Sequence, residues 1–148
     1  MLKFSFIRDK VQDYQPKRAL IDKLIRKSLQ HKYAQVMLSI SIVDSQTSQQ
    51  LNLEYRQQNK PTNVISLEYA ASREQFNFLS GELILCDDVI VKEANEQNKT
   101  IQAHYAHMIV HGLLHLQGYD HQDDQEAIQM ENLERQILNN FAINNPYQ

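Results

Sequence analysis

Hydrophobic and polar positions change period several times along the chain, and each change marks an element. Lys3 to Ile7 alternates and predicts a short strand. Pro16, in a first-turn position, then opens a helix to about Gln30 with Leu20, Leu24 and Ile25 on its apolar side. Val36 to Val43 places Leu38, Ile40 and Ile42 at period two, a second strand, followed by Asp44 or Ser45 as cap of a helix through Leu51 and Tyr55 to about Gln58. Pro61 stops that helix. Val64 to Tyr69 reads as extended, the stretch to Phe78 as a loop or hairpin, and Glu82 to Cys86 as a strand, after which Asp87 and Asp88 are expected to cap a short helix to about Gln97. Thr100 caps a helix from Ile101 to about Gln117 that Gly118 closes, and Asp123 with Glu126 forms a capping-box pattern for a last helix directing Ala127, Met130, Ile137 and Phe141 inward. This order predicts an α+β fold: one domain over residues 1–148, a small mixed sheet covered by helices, with the Ile101 helix buried at its centre.

Composition narrows the class. The 148 residues are 42% hydrophobic and 22% charged, with three Gly and three Pro, which excludes disordered and collagen-like chains. The single cysteine, Cys86, cannot form an intramolecular disulfide and points to a reducing compartment, so the cytoplasm is expected. No apolar run before Arg8 approaches the roughly 7–15 residues of an export signal, and no stretch approaches the roughly 20 needed to cross a bilayer, so no membrane association is expected. A net charge of −3 gives no global attraction to nucleic acid. Its distribution is uneven: six Lys/Arg lie between Lys17 and Lys32 against Asp22 alone, and six acids lie between Asp120 and Glu134 without a Lys or Arg. Both segments read first as solvated helix faces.

The chemistry concentrates in the buried helix. His104, His107, His111 and His115 fall within an arc of roughly 80° at about 100° per residue, while apolar residues fill most of the remaining circumference. One such histidine would be a satisfied core residue. Four in register suggest a cation, because imidazoles buried without partners are costly and a divalent ion satisfies several together. His107 with His111, or His111 with His115, could chelate at i, i+4. Gly118 lets the chain reverse, so that His121 returns toward the last turn, and this selects His111, His115 and His121 as the ligand set. Three nitrogen ligands and an open fourth position suit one Zn²⁺ in a catalytic site, with Ni²⁺, Cu²⁺ or Co²⁺ able to compete. The spacing equals that of the metzincin protease signature, except that Gly112 stands where the signature has its general-base Glu, so peptide hydrolysis by that route loses its base.

The run His111-Gly-Leu-Leu-His-Leu-Gln-Gly-Tyr-Asp-His121 resembles the signature of the bacterial YbeY endoribonucleases, or rRNA maturation factors. Leu51-Asn-Leu-Glu-Tyr-Arg56, Lys60-Pro-Thr-Asn-Val-Ile-Ser66 and Gly81-Glu-Leu-Ile-Leu-Cys86 resemble that family's upstream blocks. Asn63 and Glu82 replace the Asp the family often has at each position, so a carboxylate role at residue 63 does not carry over. The resemblance implies a zinc-dependent single-strand endoribonuclease that matures the 3′ end of small-subunit (16S) rRNA and acts in ribosome quality control. It implies zinc on His111, His115 and His121, a catalytic Arg56, and RNA and the ribosome as partners. On physical grounds alone Arg56 is equally a solvated charge ending a helix. The base could be the zinc hydroxide itself, His107 or His104, or nothing but the RNA's own 2′-hydroxyl activated by metal, and Asp120 could orient an imidazole. The acidic balance leaves room for docking on a ribosomal protein. The competing readings are a non-catalytic, metal-stabilised assembly factor that binds RNA through the Lys17–Lys32 face and, behind it, a zinc peptidase.

Overall fold

The computed structural model describes residues 1–69, 77–120 and 122–141. The elements run β1 (Leu2–Arg8), α1 (Arg18–Leu29), β2 (Gln35–Val43), α2 (Ser45–Arg56), β3 (Val64–Glu68), β4 (Phe78–Cys86), α3 (Asp87–Glu96), α4 (Ile101–Leu116) and α5 (Asp124–Asn139). The strands form one mixed sheet in the order β1-β2-β4-β3, parallel across β1/β2 and β2/β4 and antiparallel across β3/β4. The fold is α+β with helices over a small mixed sheet, as the alternation of periods predicts.

Alternation in β2 decides which face is covered. Val36, Leu38, Ile40 and Ile42 turn inward against Ile21, Leu24 and Ile25 of α1 and Tyr105, Ile109 and Leu113 of α4. Val43, Ile65 and Ile84 form a smaller cluster on the other face, packed by Leu51 of α2 and by Leu67. Eleven of the sixteen residues of α4 are buried, which makes it the central element and explains why it is apolar nearly all round. At the free edge of β1, the Arg18 guanidinium donates to the Phe4 carbonyl oxygen (2.7 Å) and lies over the Phe4 ring, 4.0 Å from its centroid. Among the described residues no helix is long and apolar enough to cross a membrane.

Several helix ends are where local chemistry puts them. Asp44, Thr100 and Asp123 accept from the backbone N–H groups of Thr47, Ala103 and Glu126 (2.8, 3.1 and 2.8 Å). Others differ from expectation. The first helix starts at Arg18 with Lys17 as its cap, two residues beyond Pro16, which is itself buried. Asp87 and Asp88 do not cap their own helix: they occupy the first turn of α3, where carboxylates suit the helix dipole, and are drawn to donors of other elements. Asp88 accepts from Ser45 N–H and Oγ (3.1 and 2.8 Å), while Asp87 accepts from Tyr14 (2.5 Å), Gln15 (3.1 Å) and Tyr105. Burial and the Asp87 carboxylate push the Tyr14 phenol up to about 12 and raise Tyr105 as well. Strand β4 begins four residues earlier than its apolar run, because Phe78 to Gly81 complete the parallel ladder with β2. The expected loop before it falls largely on residues 70–76, outside the described residues.

Candidate metal centre

Helix α4 lays four imidazoles in a row, with ring centroids 5.9, 6.2 and 4.6 Å apart from His104 to His115. Two carboxylates face them from neighbouring helices. His104 Nε2 meets Glu93 Oε1 of α3 at 2.9 Å, and Glu93 Oε1 also accepts from the Asn63 amide at 3.1 Å. The His104 partner holds the Glu93 carboxyl below its ordinary range against the opposing effect of burial, and Asn63 adds to it. An aspartate at 63 would set a second carboxylate against Glu93, so Asn63 suits this chain as a donor. Lys99, in the turn between α3 and α4, lies 3.0 Å from His104 Nδ1 and 3.3 Å from His107 Nδ1. Burial draws its ammonium down from the ordinary value while Glu93 and Glu134 oppose the change.

Glu134 of α5 is fully buried (0% exposed) and joins the middle of the row: its Oε2 lies 3.1 Å from His107 Nε2 and its Oε1 2.5 Å from His111 Nδ1. Burial pulls the His107 imidazole down from its ordinary pKa more strongly than the carboxylate raises it. His107, His111 and Glu134 offer ligand atoms all within 4.8 Å of one another, a group that could hold a metal ion. The other nitrogen of His111, Nε2, faces Nε2 of His115 at 3.1 Å. Two imidazole nitrogens bound at 2.0–2.1 Å to one tetrahedral ion stand about 3.3 Å apart, so this pair is spaced as two ligands of a single cation. Glu134 then fits the role of the carboxylate that takes the far N–H of a ligating imidazole and fixes its ring.

The turn after the helix has the geometry expected of Gly118. Its φ is 100°, its N–H donates to His115 O (3.0 Å), and the Tyr119 N–H donates to Leu114 O (3.1 Å), which together make a Schellman reversal. His121 lies outside the described residues. Of the expected site residues, His111 and His115 are therefore brought together. Arg56 is exposed at the last position of α2, with no hydrogen bond or ion pair of its side chain among the described residues.

Gly112 now has a packing reason. A Cβ there would stand 2.8 Å from Leu83 Cδ2, 3.1 Å from Ser66 Oγ and 3.3 Å from Val64 Cγ2, and Ser66 Oγ donates to the Gly112 carbonyl oxygen (3.2 Å). The position faces the sheet, so a larger side chain there would press on Leu83, Ser66 and Val64. Gly112→Ala is expected to destabilise the fold by about 1–3 kcal/mol through overpacking against the buried Leu83, read as a lower denaturant midpoint at unchanged slope.

The histidine row, its carboxylates and the glycine pressed on the sheet can be set beside known proteins. A family model described as Endoribonuclease YbeY matches residues 6–142. The chain belongs to the YbeY endoribonuclease family. That membership makes it one of a family of RNA-cleaving hydrolases. Its fold is similar to the solution structure of TM1509 from Thermotoga maritima, with a TM-score of 0.60 and 19% identity over 100% of this chain and 96% of that one.

Sequence reasoning passes over Glu93, Lys99 and Glu134. Glu134 had a signal: it sits between Met130 and Ile137 on the apolar stripe of α5, where a charge needs a buried partner. The Asp120–Glu134 acids are thus not all a solvated face.

Proposed function

We propose that residues 1–148 act as one zinc-dependent endoribonuclease domain that cleaves single-stranded RNA, matures the 3′ end of 16S rRNA and serves ribosome quality control in the cytoplasm. The observation that carries this reading is the pair of facing His111 and His115 Nε2 atoms, with the other nitrogen of His111 on a buried carboxylate. His111, His115 and His121 would hold one Zn²⁺, which when bound supplies Lewis acidity toward a phosphodiester.

The chain's own groups do the rest. Glu134 fixes the His111 ring through Nδ1, and the Ser66 hydroxyl, donating to the Gly112 carbonyl oxygen, ties α4 to the sheet. The Arg56 guanidinium, free of intramolecular ion pairs among the described residues, would fork onto the non-bridging oxygens and stabilise charge developing there. His104 and His107 are committed to Glu93 and Glu134, which disfavours either as the base. The proton of the attacking group would then pass to a zinc-bound hydroxide, and whether that group is the RNA 2′-hydroxyl or water is read from the product ends: a 2′,3′-cyclic phosphate excludes direct attack by water.

The test is cleavage of single-stranded and duplex RNA by purified protein, before and after chelation and with zinc returned. Loss on chelation and recovery with zinc are expected; undiminished cleavage by metal-free protein would dismiss the reading. Arg56→Ala is expected to lower kcat about 100-fold, as loss of one charge-stabilising donor does, with little change in melting temperature. An unchanged kcat would return Arg56 to the solvated charge it resembles in sequence.

A further inference from the structure

The polar groups beside α4 form a continuous hydrogen-bonded series, and one cation sits at its branch point. Lys99 reaches that place because α3 ends in a second Schellman reversal: Asn98 takes a φ of 55°, and the Lys99 N–H donates to Ala94 O (2.9 Å). Its Nζ then meets His104 Nδ1 at 3.0 Å and His107 Nδ1 at 3.3 Å. An ammonium only donates, so both Nδ1 atoms must accept.

The rest follows by elimination of protons. With Nδ1 accepting, each neutral ring carries its proton on Nε2, and each Nε2 faces a carboxylate, Glu93 for His104 (2.9 Å) and Glu134 for His107 (3.1 Å). Glu134, held on one oxygen by His107, presents the other to His111 Nδ1 at 2.5 Å. The His111 proton is thereby kept on Nδ1, and its Nε2 lone pair is turned toward His115 Nε2 at 3.1 Å.

We propose that Lys99 is a positioning residue of the metal centre: by donating to both Nδ1 atoms it holds the His104 and His107 rings in the tautomer and orientation that Glu93 and Glu134 require, and through Glu134 it holds His111 with Nε2 toward the ion. This rests on His111 being a zinc ligand. With a side chain at 99 that cannot donate, the buried Nδ1 lone pairs of His104 and His107 lose their donor, the rings are held only from the carboxylate side, and the clamp on His111 loosens.

The experiment joins zinc affinity, by competition with a chelator, to the ring-nitrogen NMR shifts of the metal-free protein. In the wild type His104 and His107 are expected with protons on Nε2 and His111 with its proton on Nδ1. Lys99→Met is expected to weaken zinc binding about tenfold, the lower end of the effect of groups outside the ligand shell, and to move the His107 Nδ1 shift from that of a hydrogen-bonded acceptor to that of a bare lone pair. Lys99→Arg, which keeps the donors, is expected to restore most of the affinity. Wild-type zinc affinity in Lys99→Met, or a His107 proton on Nδ1 in the wild type, overturns the role of Lys99. Should Lys99→Met fail to fold, the wild type decides alone: Nδ1 shifts of His104 and His107 that show an accepted hydrogen bond are expected, and shifts of bare lone pairs overturn the role. Failure of the wild type to bind zinc overturns the proposed function itself, a result distinguishable from both.

Discussion

His115→Ala is expected to lower RNA cleavage by far more than 100-fold while the protein stays folded. Groups one shell outside a metal change affinity or activity by about 10–100-fold, so loss of a proposed ligand should exceed that range. The fold should survive because His115 is only partly buried, at the last turn of α4, and alanine is a better helix former. Stability rests instead on the apolar cluster shared by α1, β2, β4 and α4, which needs no ion. Metal content by mass spectrometry should fall with activity, while the circular-dichroism melt stays cooperative and near the wild-type midpoint. Retained cleavage with full metal loading would move the centre elsewhere on the row, with His107, His111 and Glu134 the remaining group.

Glu134→Ala should do the opposite and damage the fold first. Its carboxylate is 0% exposed and serves both His107 and His111. Removing one member of a buried hydrogen-bonded charge set leaves the others without compensation, at a cost of about 3–5 kcal/mol. For a chain of this length that is a fall of roughly 10 °C in melting temperature, measured on metal-free protein so that lost zinc does not contribute. Glu134→Gln should fall between, since its one carbonyl oxygen can accept from one ring and its NH₂ opposes the other ring's N–H. A melting temperature within 2 °C of wild type for Glu134→Ala, about the effect of half a kcal/mol, would show that the two imidazoles find other acceptors and that Glu134 organises nothing.

Much of this was legible where one residue type answers one local demand. Thr100, Asp123 and Gly118 mark helix ends because a side-chain oxygen or a positive φ is needed there, and period two in β2 sorted inward from outward residues. The histidine row followed from helical spacing alone. What stayed hidden depends on partners far apart in sequence. Asp87 and Asp88 look like caps until Tyr14, Tyr105 and Ser45 arrive from other elements. Ser80 and Gly81 have no strand character of their own and are extended because β2 pairs with them. A Cβ at Gly81 would also stand 2.8 Å from the Leu67 carbonyl oxygen, a closeness that only the assembled sheet imposes. Glu134 and Lys99 look like surface charges because sequence gives spacing along a helix and not what another helix brings against it.

Arg18 bears on how the molecule behaves in company. An outer strand with open carbonyls is a template on which a foreign chain can extend the sheet, and aggregation often starts there. At Phe4 the acceptor is already taken and the ring is shielded by a cation, so an incoming strand would have to displace both interactions before gaining its first bond. The guanidinium works as a guard on that border, favouring dispersed molecules when the protein is concentrated.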